Sequence, residues 1–389
     1  MGETARKTGS FGPLSPEAVS LSVEAVLGEG TDGTLVSYPS YINRVYGLRL
    51  EPGRDEVQGR ELIAKFYRPG RWTRAAILDE HRFLMDCAEA EIPVASPMRL
   101  PDGGTLGEAL VEDDEGAEHP FSFALFPKKG GRNFDAEGDE DWLRLGSLIG
   151  RFHRVGSSRR ARHRSVCTPV DLSLPFVEEL LEAGLVHPEF SAEFSELCRR
   201  TLARIAPLFE GVSLGRIHGD CHRGNILDRR DEGLLVIDFD DMMVGPAVQD
   251  LWLLLPDHAE SCRRQLGLIV EGYEDFMEFD RRELALIEPL RFMRMVYFLA
   301  WRSRQREDLW FRESFPDWGG KDFWRLEIGD LRDQAELVEA SLASGGWRTR
   351  LGDNEKAEGP AGGRLRRALA AGRDEAMAPQ VGAFLFPGR

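Results

Sequence analysis

The sequence predicts an α+β fold of two lobes, a small antiparallel β-rich N-lobe and a large, mainly helical C-lobe. Runs rich in β-branched and aromatic residues, separated by turn signals, are concentrated before residue 127. Beyond it, apolar residues at helical spacing dominate. With 389 residues, 42% of them hydrophobic, the chain is long enough to bury more than one core. We therefore expect an N-lobe over 15–127 and a C-lobe over 128–345.

The N-lobe is predicted to begin with a helix over 16–28, followed by three antiparallel strands. TLVSYPS, YINRVYGLRLE and ELIAKFYR have the composition of strands, and EPGRDEVQGR is a hairpin-like turn between the last two. Residues 72–91 are predicted to be helical, because Ile77, His81 and Leu84 recur near the helical period. Three further strand-like runs complete the lobe: SPMRLP, TLGEALVED and FSFALFP.

The C-lobe is predicted to consist of helices around one polar interruption. The apolar residues of 141–156 fall on one helical face, and helices are expected again over 175–210 and from 248 to about 343. The interruption, 215–241, has the pattern of a short strand, a polar loop and a hairpin with Gly233 in its turn. A loop this polar needs specific contacts to hold it between helices.

Composition narrows the setting in which the protein works. A net charge of −16 disfavours nucleic acid and anionic membranes as partners. No signal peptide or 18-residue apolar stretch is visible, so we expect a cytoplasmic protein with no membrane partner, and a monomer. Five widely spaced cysteines without a CxxC pair indicate reduced thiols. Residues 1–14 are predicted to be disordered and 346–389 to be a flexible tail.

The stretch HGDCHRGN, residues 218–225, contains the main candidates for chemistry. Its Asp220 and Asn225, together with Asp238 at the end of the next hairpin strand, can converge on one cleft. Phosphoryl transfer needs a group that orients the acceptor hydroxyl, and hard oxygen ligands for a divalent metal. Asn225 and Asp238 suit Mg²⁺, which leaves Asp220 to accept the acceptor proton. We therefore predict Asp220 and Asp238 as catalytic residues.

Upstream residues supply the other parts of such a site in the expected order. Lys65 lies inside IAKFY, and Glu80 follows fifteen residues later in the predicted helix, where it can pair with the lysine. An ammonium group on a fixed strand suits the α- and β-phosphates of ATP. Phe126 lies in FALFPKKGG, the predicted connection between the lobes, whose backbone is expected to meet the adenine.

The loop that covers the phosphates is expected between the first two strands. Ser40 and the backbone amides of 41–43 are the candidates there, since this loop has no glycine. GEGTDG, residues 28–33, matches the pattern GxGxxG but precedes the first strand. We interpret that match as coincidental, because an isolated glycine pattern is weak.

HGDCHRGNIL and IDFDD resemble the motifs of the aminoglycoside-phosphotransferase and choline-kinase superfamily. SYINRVY, KFYRPGRW, DFDDMMVGPAVQDLW and IEPLRFMRMVYFLAW resemble, more narrowly, its bacterial stress-response serine/threonine kinases. The resemblance covers about 15–345. It implies a bilobal protein-kinase-like fold with an ATP cleft between the lobes, with ATP as phosphoryl donor and Mg²⁺ as cofactor. It also implies Asp220 as catalytic base, Asn225 and Asp238 as magnesium ligands, and Ser40 as an ATP contact.

Three hypotheses about the function remain open at this point, and two of them differ in the acceptor of the phosphoryl group. A protein serine or threonine hydroxyl is favoured by the resemblance, and a small-molecule alcohol such as an aminoglycoside, choline or a homoserine-like compound is the alternative. A nucleotide-binding scaffold is the third hypothesis. Only eight positions separate Asp238 from Pro246, so an activation segment of the eukaryotic kind does not fit. Residues 255–325 are then expected to form the acceptor platform. The family pattern SYENRVY has a glutamate where this chain has Ile42, so no role is assigned there.

Several neighbouring residues have competing interpretations. His218 is expected to brace the loop rather than to bind metal, since imidazole prefers softer ions than Mg²⁺. Asp240 suits either a second magnesium or a turn. Asp250 is expected to hydrogen-bond back to the loop, and His153 to be a satisfied core histidine. Cys221 is interpreted as an inert buried thiol, with oxidation that blocks the site as the alternative.

Overall fold

A five-stranded antiparallel sheet forms the N-lobe of the computed structural model, which describes residues 11–40, 42–53 and 59–343. Its strands are β1 (Thr31–Tyr38), β2 (Arg44–Leu50), β3 (Glu61–Phe66), β4 (Gly107–Glu112) and β5 (Glu118–Pro127). They lie in the order β1-β2-β3-β5-β4, and every neighbouring pair is antiparallel. Lys65 lies in the central strand β3, opposite Val45 of β2 and Ala124 of β5.

The run SPMRLP forms no strand, so that prediction is wrong. Pro97 and Pro101 have no backbone N–H, and each therefore removes a donor that a strand would need. The run makes one bond to the sheet, from the Met98 N–H to the Leu125 carbonyl at 2.7 Å. It is a connection that leads from the C-terminus of a helix to β4.

Two helices belong to this lobe, α1 (Pro16–Leu27) and α2 (Arg74–Glu89). Each begins with a hydroxyl cap. The Ser15 side chain accepts from the Ala18 N–H at 3.1 Å, and the Thr73 side chain accepts from the Ala76 N–H at 3.2 Å. The cap at Thr73 fixes the start of α2, the helix that carries Glu80.

The segment just before α1 is packed rather than disordered. Phe11 and Leu14 are buried in the N-lobe core, and the Phe11 ring stacks on Phe121 at a centroid separation of 6.0 Å. Burial of these two apolar side chains offsets the entropy of ordering a short segment. The prediction of disorder is therefore wrong for 11–14, while 1–10 and 346–389 lie outside the described residues.

The C-lobe is built mainly of helices, with two small sheets beside the polar loop at residues 218–225. The helices are α3 (Asp139–Ser157), α4 (Leu174–Glu182), α5 (Pro188–Ile205), α6 (Val248–Trp252), α7 (Arg263–Glu274), α8 (Ile287–Ser303), α9 (Leu309–Ser314) and α10 (Lys321–Ala343). The short strands are β6 (Arg132–Asn133), β7 (Gly215–Ile217), β8 (Ile226–Asp228), β9 (Leu234–Val236) and β10 (Met243–Gly245). Strands β6, β8 and β9 form one sheet, and β7 pairs with β10. No helix of the described residues is long and apolar enough to cross a membrane.

Helix α3 is packed closely on both sides through glycines. A Cβ at Gly146 would overlap the carbonyl oxygen of Ile269 in α7, and a Cβ at Gly156 would overlap the carbonyl oxygen of Arg216 in β7. Because only hydrogen fits at these positions, the backbones of α7 and β7 lie directly against α3. Strand β7 leads into the polar loop at residues 218–225, so its packing against α3 fixes the position at which that loop begins.

Glu283 is a buried carboxylate at the start of α6, where it accepts a hydrogen bond from the Val248 N–H at 2.9 Å. Burial raises the pKa of Glu283 to about 7. The folded chain therefore binds this proton more tightly than the unfolded chain. The resulting stability is fully present below about pH 4.5 and is lost as the pH rises toward about 7.

We expect Glu283→Gln to remove this pH dependence, because glutamine keeps the acceptor oxygen without the buried charge. The free energy of unfolding at about pH 8 should rise by ~2 kcal/mol relative to the wild type. Urea denaturation at about pH 5 and pH 8 measures the difference. Glu278→Gln, at an exposed position, is the control. A Glu283 variant that loses as much stability as the wild type over this range would contradict the expectation.

Candidate active site

One buried carboxylate, Asp250 of α6, holds the start of the loop that follows β7. Its Oδ2 accepts from the His218 N–H at 2.7 Å, and its Oδ1 accepts from the Gly219 N–H at 2.9 Å. The ring Nε2 of His153 in α3 lies 2.9 Å from the same carboxylate. Asp250 is fully buried, so both carboxylate oxygens are used inside the protein. It positions the loop, and His153 is the satisfied core histidine that the sequence indicated.

His218 is packed beneath the loop as a brace. Its Nε2 lies 2.9 Å from the Ile237 carbonyl, and its ring lies over Phe239 with centroids 4.4 Å apart. The next residue, Gly219, has φ 82°, and a Cβ there would overlap the Asp241 carbonyl oxygen. The tight turn into Asp220 therefore requires glycine.

The carboxylate of Asp220 forms an ion pair with Arg294 of α8, a residue that the sequence analysis did not identify. His222 Nε2 lies 3.6 Å from the other carboxylate oxygen. Burial disfavours the charged form of Asp220, but Arg294 and His222 outweigh it and hold its pKa at about 2. Asp220 is therefore ionised at neutral pH and able to accept a hydrogen bond.

Asn225 and Asp238 lie at the same end of the hairpin formed by β8 and β9, where Ile226 pairs with Val236. The Asn225 side-chain nitrogen donates to the Asp220 carbonyl at 2.9 Å, which leaves the amide oxygen as the atom suited to a metal. Asp238 follows β9 with φ 59°, a left-handed conformation uncommon for a residue other than glycine. Its side chain is 57% exposed, so the carboxylate is accessible from the cleft. One amide and one carboxylate oxygen fit Mg²⁺, which takes few protein ligands.

Lys65 lies among three carboxylates at the end of β3. Its Nζ is 3.6 Å from Glu80 Oε1, 3.4 Å from Asp238 Oδ1 and 3.1 Å from Asp240 Oδ1. Burial lowers the pKa of Lys65, but Asp240 and Glu80 outweigh it and raise that pKa well above its usual range. The pairing of Lys65 with Glu80 has the geometry that their spacing predicted.

Arginines hold the two aspartates that follow Phe239. Arg71 lies 2.9 Å from Asp240 and donates to Asp241 at 2.6 Å, and the Tyr297 hydroxyl donates to the same Asp241 oxygen at 2.6 Å. Arg164 is fully buried and donates to the Asp240 carbonyl. Burial opposes ionisation of Asp240, but Arg71 and Lys65 hold its pKa well below its usual range. Asp240 is therefore ion-paired within the protein, where the sequence suggested a second magnesium or a turn.

The predicted phosphate-covering loop lies beside Lys65, because Val45 pairs with both Tyr38 and Lys65. Ser40 lies in this loop, and residue 41 falls outside the described residues. Arg68 holds the loop through two hydrogen bonds. Its side-chain Nε donates to the Ile42 carbonyl at 3.2 Å, and its backbone N–H donates to Asn43 Oδ1 at 3.1 Å.

Two further observations concern the ends of the sheet. The GEGTDG segment lies at the end of the sheet opposite to Lys65, where Thr31 pairs with Leu50. That glycine match is therefore remote from the site.

Phe126 lies near the end of β5, opposite Ile63, and its side chain is buried in a core cluster. A contact between Phe126 and the adenine would therefore involve its backbone, and that contact stays a prediction.

Arg68 also reaches across the cleft. Its guanidinium forms an ion pair with Asp308, which lies between α8 and α9 in the C-lobe. Arg68 is almost fully buried, so water screens this pair weakly. We call the contact between Arg68 and Asp308 the interlobe clasp.

Cys221 is fully buried beside Asp220. Burial raises the pKa of its thiol well above its usual range. The protonated, enclosed thiol matches the inert interpretation rather than the redox one.

A comparison with models of protein families shows the family of this chain. The model of the phosphotransferase enzyme family matches residues 37–287, more than half of the sequence. The chain belongs to the phosphotransferase enzyme family. Stress response kinase A of Escherichia coli K12 is 35% identical over 333 residues, which cover 85% of this chain and 95% of that protein. The serine/threonine protein kinase RdoA of Salmonella typhimurium is 34% identical over 332 residues, with the same coverage. This phosphotransferase is an ATP-dependent kinase, as the sequence predicted.

Solved structures agree on the fold of this phosphotransferase. Amicoumacin kinase hAmiN has a TM-score of 0.62 at 19% identity, over 84% of this chain and 93% of that chain. A microcompartment-associated aminopropanol kinase has a TM-score of 0.58 at 18% identity, over 86% and 98%. The predicted bilobal, protein-kinase-like α+β fold is confirmed.

The residues that the sequence analysis missed in this phosphotransferase are arginines. Arg71, Arg164 and Arg294 each hold an aspartate or its backbone in the site. Two of them lie in segments that carried the family resemblance, KFYRPGRW and IEPLRFMRMVYFLAW. An arginine inside an otherwise apolar helix, as in the second segment, is the available signal, since a buried guanidinium needs a partner.

Proposed function

We propose that this phosphotransferase is a serine/threonine protein kinase, which transfers the γ-phosphate of ATP to a protein hydroxyl. The observation that carries this proposal is a sequence similarity that extends over 95% of the length of proteins named stress response kinase A. The name RdoA, serine/threonine protein kinase, points to the same acceptor class. We also propose that it works in the cytoplasm and as a monomer.

The proposed mechanism assigns each side chain a separate task. Lys65, oriented by Glu80, binds the phosphates of ATP, while Ser40 and its loop cover them. Asn225 and Asp238 would hold Mg²⁺, which would neutralise charge on the phosphates when bound. The Asp220 carboxylate accepts a hydrogen bond from the acceptor hydroxyl and takes its proton.

The charges on the acceptor side support a neutral hydroxyl over a cationic amine. Arg294 contacts the Asp220 carboxylate, and Arg71 lies against Asp240 and Asp241. Because Arg294 already compensates the charge of Asp220, a cationic acceptor would gain little attraction from this carboxylate. A serine or threonine hydroxyl does not depend on such an attraction. This contrast favours the proposal over an aminoglycoside or choline acceptor.

Parallel acceptor assays test the proposed function. We expect labelled Mg²⁺-ATP to phosphorylate serine or threonine in casein or in a generic basic protein. Choline, homoserine and an aminoglycoside should leave ADP release at its background rate. Phosphoamino-acid analysis and coupled ADP detection are the readouts, and Asp220→Asn protein is the control for a contaminating kinase. A small molecule that stimulates ADP release, with no protein labelling, would replace this proposal by a small-molecule kinase.

A further inference from the structure

A basic surface lies at the end of α3 in an otherwise acidic protein. None of the residues 142–170 is acidic, although 66 of the 389 residues are Asp or Glu. We call residues 154–163 the basic loop. Its exposed basic side chains are Arg154, Arg159, Arg160, Arg162 and His163.

Most of these guanidinium groups are not neutralised by the protein itself. Arg159 lies 3.7 Å from Asp86. Within the part of the chain that the structure describes, no carboxylate lies within 4 Å of the guanidinium groups of Arg154, Arg160 or Arg162. Three arginines are therefore available to an external anion on a protein whose net charge is −16.

Buried groups hold the basic loop in one conformation. Asp79 of α2 accepts hydrogen bonds from the backbone N–H groups of Arg162 at 2.8 Å and His163 at 2.9 Å. Arg216 donates to the Val155 carbonyl at 2.9 Å. The backbone is thus fixed before any ligand arrives, which lowers the entropic cost of binding there.

The basic loop leads directly into the catalytic network. Arg164, the next residue, donates to the Met242 carbonyl at 2.6 Å and lies 3.7 Å from Glu80 Oε2. Asp79, which anchors the loop, precedes Glu80 in α2. A ligand on the basic loop would therefore lie against the residues that hold Glu80 and Asp240.

We propose that the basic loop is a docking site for an acidic segment of a partner protein. Arginine forks pair with the carboxylates of Asp and Glu side chains. A nucleic acid or an anionic membrane fits less well, because it extends beyond the basic loop over a protein whose net charge of −16 repels it. A short acidic peptide can be held by these arginines alone. The site does not depend on which acceptor the kinase uses.

Binding of fluorescein-labelled decaglutamate, followed by anisotropy, tests this docking site. We expect the full-length protein to bind the peptide with an affinity that falls as salt rises. Arg154→Gln, Arg160→Gln and Arg162→Gln together should weaken binding about tenfold or more. The control changes three exposed arginines elsewhere, Arg99→Gln, Arg200→Gln and Arg325→Gln, with the same change in net charge. It should bind within about twofold of the wild type.

Basal ATP turnover and melting temperature should stay unchanged in both triple variants, since none of these arginines lies in the catalytic site. Equal weakening in the two variants would overturn the docking site in favour of a general charge effect. Peptide binding that does not respond to salt would overturn it as well. So would tighter binding of an oligonucleotide or of phosphatidylserine vesicles than of decaglutamate, if that binding is lost in the basic-loop variant.

Discussion

Asp220→Asn should lower kcat by about 10²- to 10⁴-fold, the range expected for loss of a general base. The amide cannot take the proton of the acceptor hydroxyl, although its shape is nearly that of the carboxylate. ATP affinity should change by less than about threefold, because Lys65, Asn225 and Asp238 are untouched. Steady-state kinetics and direct nucleotide binding measure the two quantities separately.

The pH dependence gives a second readout for Asp220. Arg294 holds the pKa of Asp220 at about 2, so this carboxylate stays ionised as the pH falls from about 8 to about 5. No loss of kcat/KM from this group is expected over that range. Arg294→Gln should raise the pKa of Asp220 and move an acidic limb upward in pH. Asp135→Asn, an exposed carboxylate close to Arg223 of the same loop, is the control. Undiminished turnover in Asp220→Asn would remove Asp220 from its proposed role.

Asp238→Asn is expected to have the second largest effect, and to act through the metal. The Mg²⁺ concentration for half-maximal activity should rise by about tenfold or more, and kcat should fall by about 10²-fold. The fold should be retained, because Asp238 is largely exposed and asparagine adopts its left-handed conformation readily. Lys65 also keeps two carboxylate neighbours, Glu80 and Asp240.

Mg²⁺ titrations of activity and thermal melts together check this expectation. Asp228→Asn, at the other end of the hairpin formed by β8 and β9, is the matched control and should keep the wild-type response to Mg²⁺. A wild-type Mg²⁺ response in Asp238→Asn would exclude a ligand role. A large fall in melting temperature would instead indicate a structural role.

The fold and the main candidates for chemistry could be predicted because their signals are local. Asp220 and Asn225 share one loop, and the spacing of Lys65 and Glu80 places them on a strand and the next helix. The arginine contacts could not be predicted in this way. Arg294 is 74 positions from Asp220, and the chain between them carries no periodicity that specifies this partner. Such pairs depend on how helices pack, which residue spacing does not report.

The two errors in the fold also have physical causes. SPMRLP has strand-like apolar residues, but its prolines remove the donors that a ladder needs. The segment before α1 is short and rich in glycine and proline, a composition typical of disorder. Phe11 and Leu14 nevertheless find a preformed apolar surface, since Phe121 lies on the neighbouring sheet. A prediction from composition weighs all residues of a segment. Packing depends instead on the few apolar side chains that can be buried.

The interlobe clasp has a consequence for the timing of the catalytic cycle. Arg68 holds the phosphate-covering loop through Ile42 and Asn43, and its guanidinium is paired with Asp308 of the other lobe. Widening of the cleft must break this pair or carry the connection between α8 and α9 along with the N-lobe. In the proposed mechanism, release of ADP would therefore require this pair to break or to move, which would link nucleotide exchange to the connection between α8 and α9.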